Sequence, residues 1–473
     1  MVSAKPSRGV GPDGIAYPRS SGVKVIVIGL GYSGVVTAIE CHRKGHDVVV
    51  YEQAPELTEL GDIIGITANA AQIIAKWGNG KVHSQIEPLL CTWAANNIRK
   101  HDTGEIIFPQ PMDGYAAGSG YTGPRGPMAM IFANHCRELG IPINLGKRVT
   151  EYFETENEAG IVVDGQRISA DCVIACDGVK SAARPFITGI NDKPHHTGYA
   201  AYRAWFSSEE ARKNPKLSWL FEGEYDKMET YIGPDQHCII GTCSHQNGVV
   251  WTMTHKDIYD TASESWAFPG KHEDVLNYTK GWHSRIHDVV NATPASQLVD
   301  YKLLWRDALP SWVSRHGRMI VLGDSAHPFL PTSAQGAGQA IEDGATVAIC
   351  LELAGKGNTP LGLRTCEKLR YARATLAQKI GFETRDVWHK TDWELAAKNP
   401  QSVSMPLPNW LFGHDPQKYA YDDFDAAAQA IKNGTTYVPT NLPPPGERHR
   451  VNDFKPQDAS PWLRGEIVPR ARL

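Results

Sequence analysis

The sequence predicts an α/β (α+β) protein in which a parallel sheet with crossover helices is interleaved with a second, mostly antiparallel sheet and closed by C-terminal helices. Three stretches carry that reading. In the first, Val25 to Ile28 are apolar, Gly29, Gly31 and Gly34 form a G-x-G-x-x-G turn, and a helical pattern leads to Val48 to Tyr51 and the acid Glu52. Strand, glycine turn, helix, strand and an acid about 20 residues past the turn make a Rossmann-type dinucleotide-binding unit. Gly29 permits the tight turn, Gly31 the approach of a pyrophosphate, and Gly34 close packing of the helix. In the second stretch, the apolar strand Met319 to Leu322 breaks at Gly323 and places one carboxylate, Asp324, where it opens. Pro328 and Pro331 stiffen the following loop, Gly336 and Gly338 leave its backbone bare, and a helix begins with Glu342 and Asp343 in its early turns. Bare backbone at a helix N-terminus offers N–H groups and the positive end of the helix dipole to an electron-rich ligand. The third stretch is an apolar strand from Cys172 that ends in Asp177 and Gly178, followed by Ser181 and Arg184.

In chain order, residues 1–22 are rich in Pro, Gly and Ser, lack an apolar core, and read as a flexible tail rather than a secretion signal. The opening βαβ unit follows, and then Asp62, a loop carboxylate that could cap the next helix. Asn69 to Trp77 has helical spacing. Trp93 to Phe108 reads as strands before a glycine-rich loop to Tyr121, Met128 to Leu139 as a helix, and the neighbourhoods of Ile143, Tyr152 and Ile161 as strands. Between 198 and 310 the predicted strands are Tyr199–Phe206, Ser218–Phe221, Glu229–Ile232, His237–Cys243 and Val249–His255, with a Gly-Pro-Asp-Gln turn. Alternation puts Tyr199, Ala201, Arg203 and Trp205 on one face, and an arginine on that apolar face needs a partner for its charge. Residues 341–390 read as long helices. Residues 394–473 read as a proline-rich wrapping extension of low periodicity, with the last ~20 residues disordered.

At 473 residues the chain can bury a large core and form two or three domains. A formal net charge of −4 gives no reason to expect a nucleic-acid partner. The nine cysteines do not form a disulfide pattern, and Cys172/Cys176 and Cys238/Cys243 fall on strand patterns as small core residues rather than metal ligands. No apolar run approaches the ~18 residues of a membrane span. The expectation is a cytoplasmic protein, a monomer or weak homodimer, acting on a small molecule.

The three motifs, in this order and over roughly residues 24–390, resemble the single-component FAD-dependent aromatic monooxygenases. The resemblance implies five segments: the tail 1–22, a first part of the FAD-binding domain at 23–197, a substrate-binding sheet at 198–310, the second part of the FAD-binding domain with covering helices at 311–390, and the extension 391–473. It implies that Gly29, Gly31, Gly34 and Glu52 hold the ADP half of FAD and that Asp324 binds the ribityl chain. Asp177 takes a dual flavin and NAD(P)H role, and Gly336, Ala337 and Gly338 line the flavin. Arg125 matches a cofactor-contacting arginine that precedes a helix, although here proline and glycines replace the usual helix-forming neighbours. NADPH or NADH is implied as a transient co-substrate, which agrees with the absence of a second Rossmann fingerprint. O2 is implied to add to reduced FAD as a C4a-hydroperoxyflavin.

The strings Tyr199 to Trp205, Trp219 to Gly223, Gly61-Asp62 and Phe412 to Asp415 look like fungal monooxygenases of indole-alkaloid secondary metabolism. Such enzymes epoxidise an indole C2–C3 bond, and a semipinacol shift then gives a spiro-oxindole. Matching positions imply that Arg203 steers the epoxide and that Asp62, partly desolvated beside the flavin where a small residue is usual, donates a proton. Fungal relatives that process phenols often carry a tyrosine where this chain has Gly241. The alternatives are a phenol or salicylate-type hydroxylase on the same fold, a flavin oxidase or dehydrogenase, and a non-catalytic flavoprotein.

Overall fold

The computed structural model describes residues 7–10, 16–18, 20–59, 62–112, 119–258, 268–443, 453 and 455. Five parallel strands form the central layer, in the order Met319–Val321, Cys172–Ala175, Lys24–Ile28, Asp47–Tyr51, Ile143–Asn144. Their Val/Ile-rich runs are buried because helix Tyr32–Arg43 covers the sheet together with strands Ala159–Val163 and Gln166–Ala170 of a three-stranded antiparallel sheet, and parallel sheets need such cover. The three motif strands are immediate neighbours, so the glycine turn, Asp177 and Asp324 all leave the sheet along one edge, at the strand C-termini. Helix Gly336–Ala354 packs between helix Tyr32–Arg43 and the long helix Thr359–His389.

The second sheet has seven strands, in the order Val299–Trp305, His195–Ser207, Gly248–Lys256, Gln236–Cys243, Met228–Gly233, Ala95–Lys100, Ile106–Pro111. Only the pairing of Met228–Gly233 with Ala95–Lys100 is parallel. The expected boundary at 198 is therefore crossed: strands from 95 to 111 lie in the segment assigned to FAD binding yet complete this sheet. The expected alternation is present. Tyr202, Ala204 and Phe206 enter one cluster, whereas Ala201 and Trp205 pack on the other face, which also carries Arg203.

Two expected elements differ. Pro215–Phe221 is a 3₁₀ helix, not a strand. Asn214 caps it by accepting from the Lys216 N–H, and Pro215 opens it, so Leu217, Trp219 and Leu220 are buried from a helical turn. In the extension, Pro416–Asn433 is an 18-residue helix. Asp415 caps its N-terminus, Pro416 occupies the first turn, Gly434 closes it at φ 64°, and Ala420, Phe424, Ala427 and Ala428 form its buried stripe. At the other end of the chain, Ser7–Val10 and Ala16–Pro18 pair antiparallel within the segment expected to be a tail. The expected loop at 113–118 and disordered C-terminus lie outside the described residues. No described helix is long and apolar enough to cross a membrane.

On the sheet face opposite Arg203, Asp300 is buried beside Tyr202. Its Oδ1 lacks a hydrogen bond, as do both oxygens of Asp257, and His255 Nε2 stands 4.0 Å away. Burial and the Asp257 charge, with a lesser push from Asp274 and an opposing pull from Lys302, raise the Asp300 carboxyl to about 7. The folded chain therefore keeps a proton that the unfolded chain releases near 3.8. Between those values the unfolded state binds fewer protons, so stability falls as pH rises through that window. At about 1.4 kcal/mol per unit, the ceiling is on the order of 4 kcal/mol. Asp300→Asn should remove this slope: urea unfolding at pH 5 and pH 8 should give a smaller difference for the variant than for the wild type. Equal differences would show that Asp300 titrates as an ordinary carboxylate.

Candidate active site at the strand ends

Gly29 adopts φ +90°, and a Cβ there would lie 2.4 Å from the Cys176 carbonyl oxygen. At Gly34 a Cβ would come 1.9 Å from the Gly29 carbonyl oxygen, so only glycine lets helix Tyr32–Arg43 start so close to the turn. Gly31 is different: a Cβ there would meet nothing within 4 Å, and the space it would enter lies at the N-terminus of that helix. Glu52 accepts from the N–H groups of Leu30 (2.7 Å) and Ala54 (2.8 Å). Each of its oxygens keeps lone pairs for ribose hydroxyls.

The other two motifs are bonded to each other. Asp177 accepts from the N–H groups of Ala182 (2.8 Å) and Ala183 (3.2 Å) and from the Ser325 hydroxyl (3.0 Å), while the Gly178 N–H donates to Ser325 Oγ. Arg184 forks onto Asp192 and also donates to the carbonyls of Ser325 and Ala326. Asp177 thus orders its own loop and the neighbouring Asp324 turn. Asp324 is accessible to solvent yet ringed by protein. Burial raises its carboxyl above the ordinary range against the pull of His327 and Arg125. The backbone N–H of Gly323 and the ring of His327, at 2.6 Å, both reach Asp343 Oδ2 and so fix the turn.

Helix Gly336–Ala354 starts at the residues expected to face the flavin. Among the described residues, the N–H groups of Gly336, Ala337 and Gly338 have no protein acceptor. Arg125 is the first residue of helix Arg125–Glu138, and its N–H donates to the Asp62 carbonyl at 3.0 Å. The unusual neighbours are explained locally. Pro124 and Pro127 suit a helix start, and a Cβ on Gly126 would fall 2.7 Å from the Glu59 backbone.

The two residues expected to act on the substrate meet. Arg203 Nη1 lies 3.4 Å from Asp62 Oδ1, with both side chains largely buried. The guanidinium carbon lies over the Tyr301 ring, 4.7 Å from its centroid. Tyr301 escaped the sequence reading, because one aromatic on an aromatic-rich strand carries no signal of its own. Also missed was the buried cluster of Glu342 and Asp343 with Arg370 and Arg373, which two arginines three residues apart on a helix that is otherwise core-facing could have signalled. Among the described residues no group of three or more His, Cys, Asp or Glu is arranged to hold a metal, and all nine cysteines are free and buried.

An open space at Gly31, an unpartnered run of N–H groups at 336–338 and a solvent-accessible Asp324 fit FAD. Residues 124–378 match the family model for the FAD binding domain. The chain is a flavoprotein of that family. It belongs with the FAD-dependent monooxygenases. It is 40% identical to asperlicin C monooxygenase of Petromyces alliaceus, over 92% of this chain and 95% of that one. It is 36% identical to notoamide E oxidase of Aspergillus versicolor, over 92% and 97% respectively. The crystal structure of CtdE with FAD and a substrate superposes with a TM-score of 0.82 at 39% identity, covering 87% of this chain and all of that one. FAD is the cofactor, and the family uses NAD(P)H as electron donor.

Gly31 and Gly34 separate cofactor binding from folding. At position 31 a Cβ meets no protein atom within 4 Å, so Gly31→Val should fold normally yet purify largely colourless. Gly34→Ala drives a methyl group into backbone and should lower stability by ~3 kcal/mol or more. Flavin absorbance and the melting temperature of flavin-stripped protein check both, and a yellow Gly31→Val would contradict this placement of the pyrophosphate.

Proposed function

We propose that the chain epoxidises the C2–C3 bond of an indole alkaloid and guides a semipinacol rearrangement to a spiro-oxindole. We further propose that Gly29, Gly31, Gly34, Glu52, Arg125, Asp324 and residues 336–338 hold FAD. The observation that carries the reading is the buried Arg203–Asp62 pair on the apolar face of the second sheet. Bound FAD, with NAD(P)H and O2, supplies an electrophilic oxygen atom. The chain's own part is to exclude water and manage charge on the substrate. Breaking one C–O bond of an indole epoxide leaves negative charge on the oxygen, and the 1,2-shift then turns that oxygen into the oxindole carbonyl. Arg203, in a low-dielectric setting, stabilises the developing alkoxide. Asp62 aims the guanidinium and takes part in proton transfer to the substrate oxygen. The Gly241 position also supports an indole over a phenol. A Cβ there would fall 2.8 Å from Trp93 Cζ2, so the tyrosine common in phenol-processing relatives has no room.

Removing a donor of this kind costs ~10²–10³ in turnover. Arg203→Ala should keep FAD and consume NADPH but release peroxide in place of product. Arg203→Lys should be impaired as well, because it keeps the charge and loses the planar fork. Near-normal product from Arg203→Ala would reduce the pair to a structural ion pair. For the substrate class, asperlicin C, notoamide E and salicylate form a discriminating panel. We expect one added oxygen atom, by mass, on an indole compound and none on salicylate. Oxygenation of salicylate alone would establish the phenol hydroxylase instead.

A further inference from the structure

We propose that the Thr252 hydroxyl is a specificity-determining group of the site: it hydrogen-bonds an amide on the C3 side chain of the indole substrate and so sets where the ring lies beside Arg203. The inference deepens the indole reading given above and rests on it.

The second sheet locates the opening. Strand Gly248–Lys256 is interior, between His195–Ser207 and Gln236–Cys243. Its alternate residues Val249, Trp251 and Met253 are buried in the cluster behind the sheet, with Tyr202 and Ala204. Val250, Thr252 and Thr254 therefore face the other way, on the side of Arg203. Val250 and Thr254 are each 3% exposed, whereas Thr252 between them is only half-buried. Thr252 pairs with Arg203 on one side and with Ile239 on the other, and Ile239 and Trp205 are half-buried too. A residue in the middle of a sheet reaches solvent only through a hollow above its face. That hollow lies over Thr252, Ile239 and Trp205, with Arg203 at its edge. Phe329 and Ala334, from the loop that leads into helix Gly336–Ala354, are half-buried and pack against the same apolar cluster as Trp205 and Ile239.

Apart from Arg203 these residues are apolar or aromatic, and Thr252 supplies one polar group among them. Among the described residues its hydroxyl has no hydrogen-bond partner. Other threonines of the sheet are bonded: Thr230 donates to Asn96 at 2.8 Å and Thr242 to Asp226 at 3.0 Å. An unbonded hydroxyl adds nothing to the fold that a methyl group would not, whereas a ligand amide taken out of water gains a partner from it. Reach selects the group. Directly opposed residues place their Cβ atoms ~4.5–5.5 Å apart, so a polar group beside Thr252 is a short step from an oxygen held by Arg203. In a tryptophan-derived indole the C3 side chain arrives at its amide in two or three bonds of ~1.5 Å each, which spans that step.

Thr252→Val removes the hydroxyl at almost constant volume, and Thr252→Ser keeps it. Binding is read on the oxidised, FAD-bound proteins, from the change in flavin absorbance on titration with asperlicin C, notoamide E and 3-methylindole. The first two carry amides and the third has none. For whichever amide-bearing compound the wild type binds, Thr252→Val should bind it roughly tenfold more weakly. Thr252→Ser should stay within about threefold of the wild type, and 3-methylindole should treat all three proteins alike. The melting temperature of Thr252→Val should equal or exceed that of the wild type, because the fold loses no bond. Equal affinity of wild type and Thr252→Val for the amide-bearing compound overturns the inference. So does an equal loss on 3-methylindole, which would report the shape of the hollow alone, or a serine variant as weak as the valine one. A clear drop in the melting temperature of Thr252→Val also overturns it, by marking the hydroxyl as part of the fold. Each of these results leaves the indole reading standing. If the wild type binds none of the three indoles, that reading falls and this inference falls with it.

Discussion

Four charged side chains buried together hold the site in register. Glu342 and Asp343, adjacent on the helix that begins at Gly336, face Arg370 and Arg373 on the next helix, and all four are at most 1% exposed. Isolated charges so deep would be very costly, and such a cluster survives only when the geometry satisfies nearly every polar atom. Here Arg373 grips both oxygens of Glu342 at 2.9 Å, Arg370 reaches Glu342 and, at 2.8 Å, Asp343, and Asn69 donates to Glu342 at 2.6 Å. Burial alone would raise the Glu342 carboxyl, but the Arg373 and Arg370 guanidinia outweigh it and hold the group below the usual carboxylate range.

What the cluster joins explains why it matters. Asp343 carries the Gly323 N–H and His327, and so the turn that presents Asp324. Asn69 and Thr67 tie in the segment just after Asp62, and Gln335 reaches Thr67 from the start of the helix. On the far side, Arg373 donates to the carbonyls of Trp410 and Leu411, which fastens the C-terminal extension to the same point. Four segments distant in sequence thus share one buried anchor. Loss of one carboxylate would leave guanidinium charge unpaired in the core, the severe case among buried-pair mutations.

Much of this was legible in the sequence wherever the physics is local. The glycine turn, Glu52 and the strand ends at Asp177 and Asp324 are set by backbone requirements that act within a few residues, and they lie where the pattern put them. The failures have equally definite causes. Three apolar residues at 219–221 have no measurable period, so Asn214 and Pro215 decided their conformation. The helix Pro416–Asn433 carried a cap, an N-terminal proline, an apolar stripe and a closing glycine, but the prolines around it dominated the composition of the extension. That 95–111 would join the second sheet could not be read, because strand pairing across more than a hundred residues leaves no local mark. The same holds for Arg203, whose need for a partner was evident and whose partner, Asp62, is 141 residues away.

That distance carries the last step of the argument. Asp62 joins two parts of the fold: its carbonyl accepts from the Arg125 N–H at the start of helix Arg125–Glu138, and its side chain meets Arg203 on the second sheet. Arg125 in turn is bonded through its carbonyl to Tyr32, in the first turn of the helix that follows the glycine motif. A continuous path of hydrogen bonds therefore runs from the helix that follows the glycine turn to the Arg203 guanidinium. In an enzyme whose oxidant is short-lived, charge stabilisation is useful only if it stands at a fixed distance from the flavin. A serial linkage of hydrogen bonds through rigid helix starts, ending in the 3.4 Å Asp62–Arg203 contact, constrains that distance, where two independently mounted domains would not.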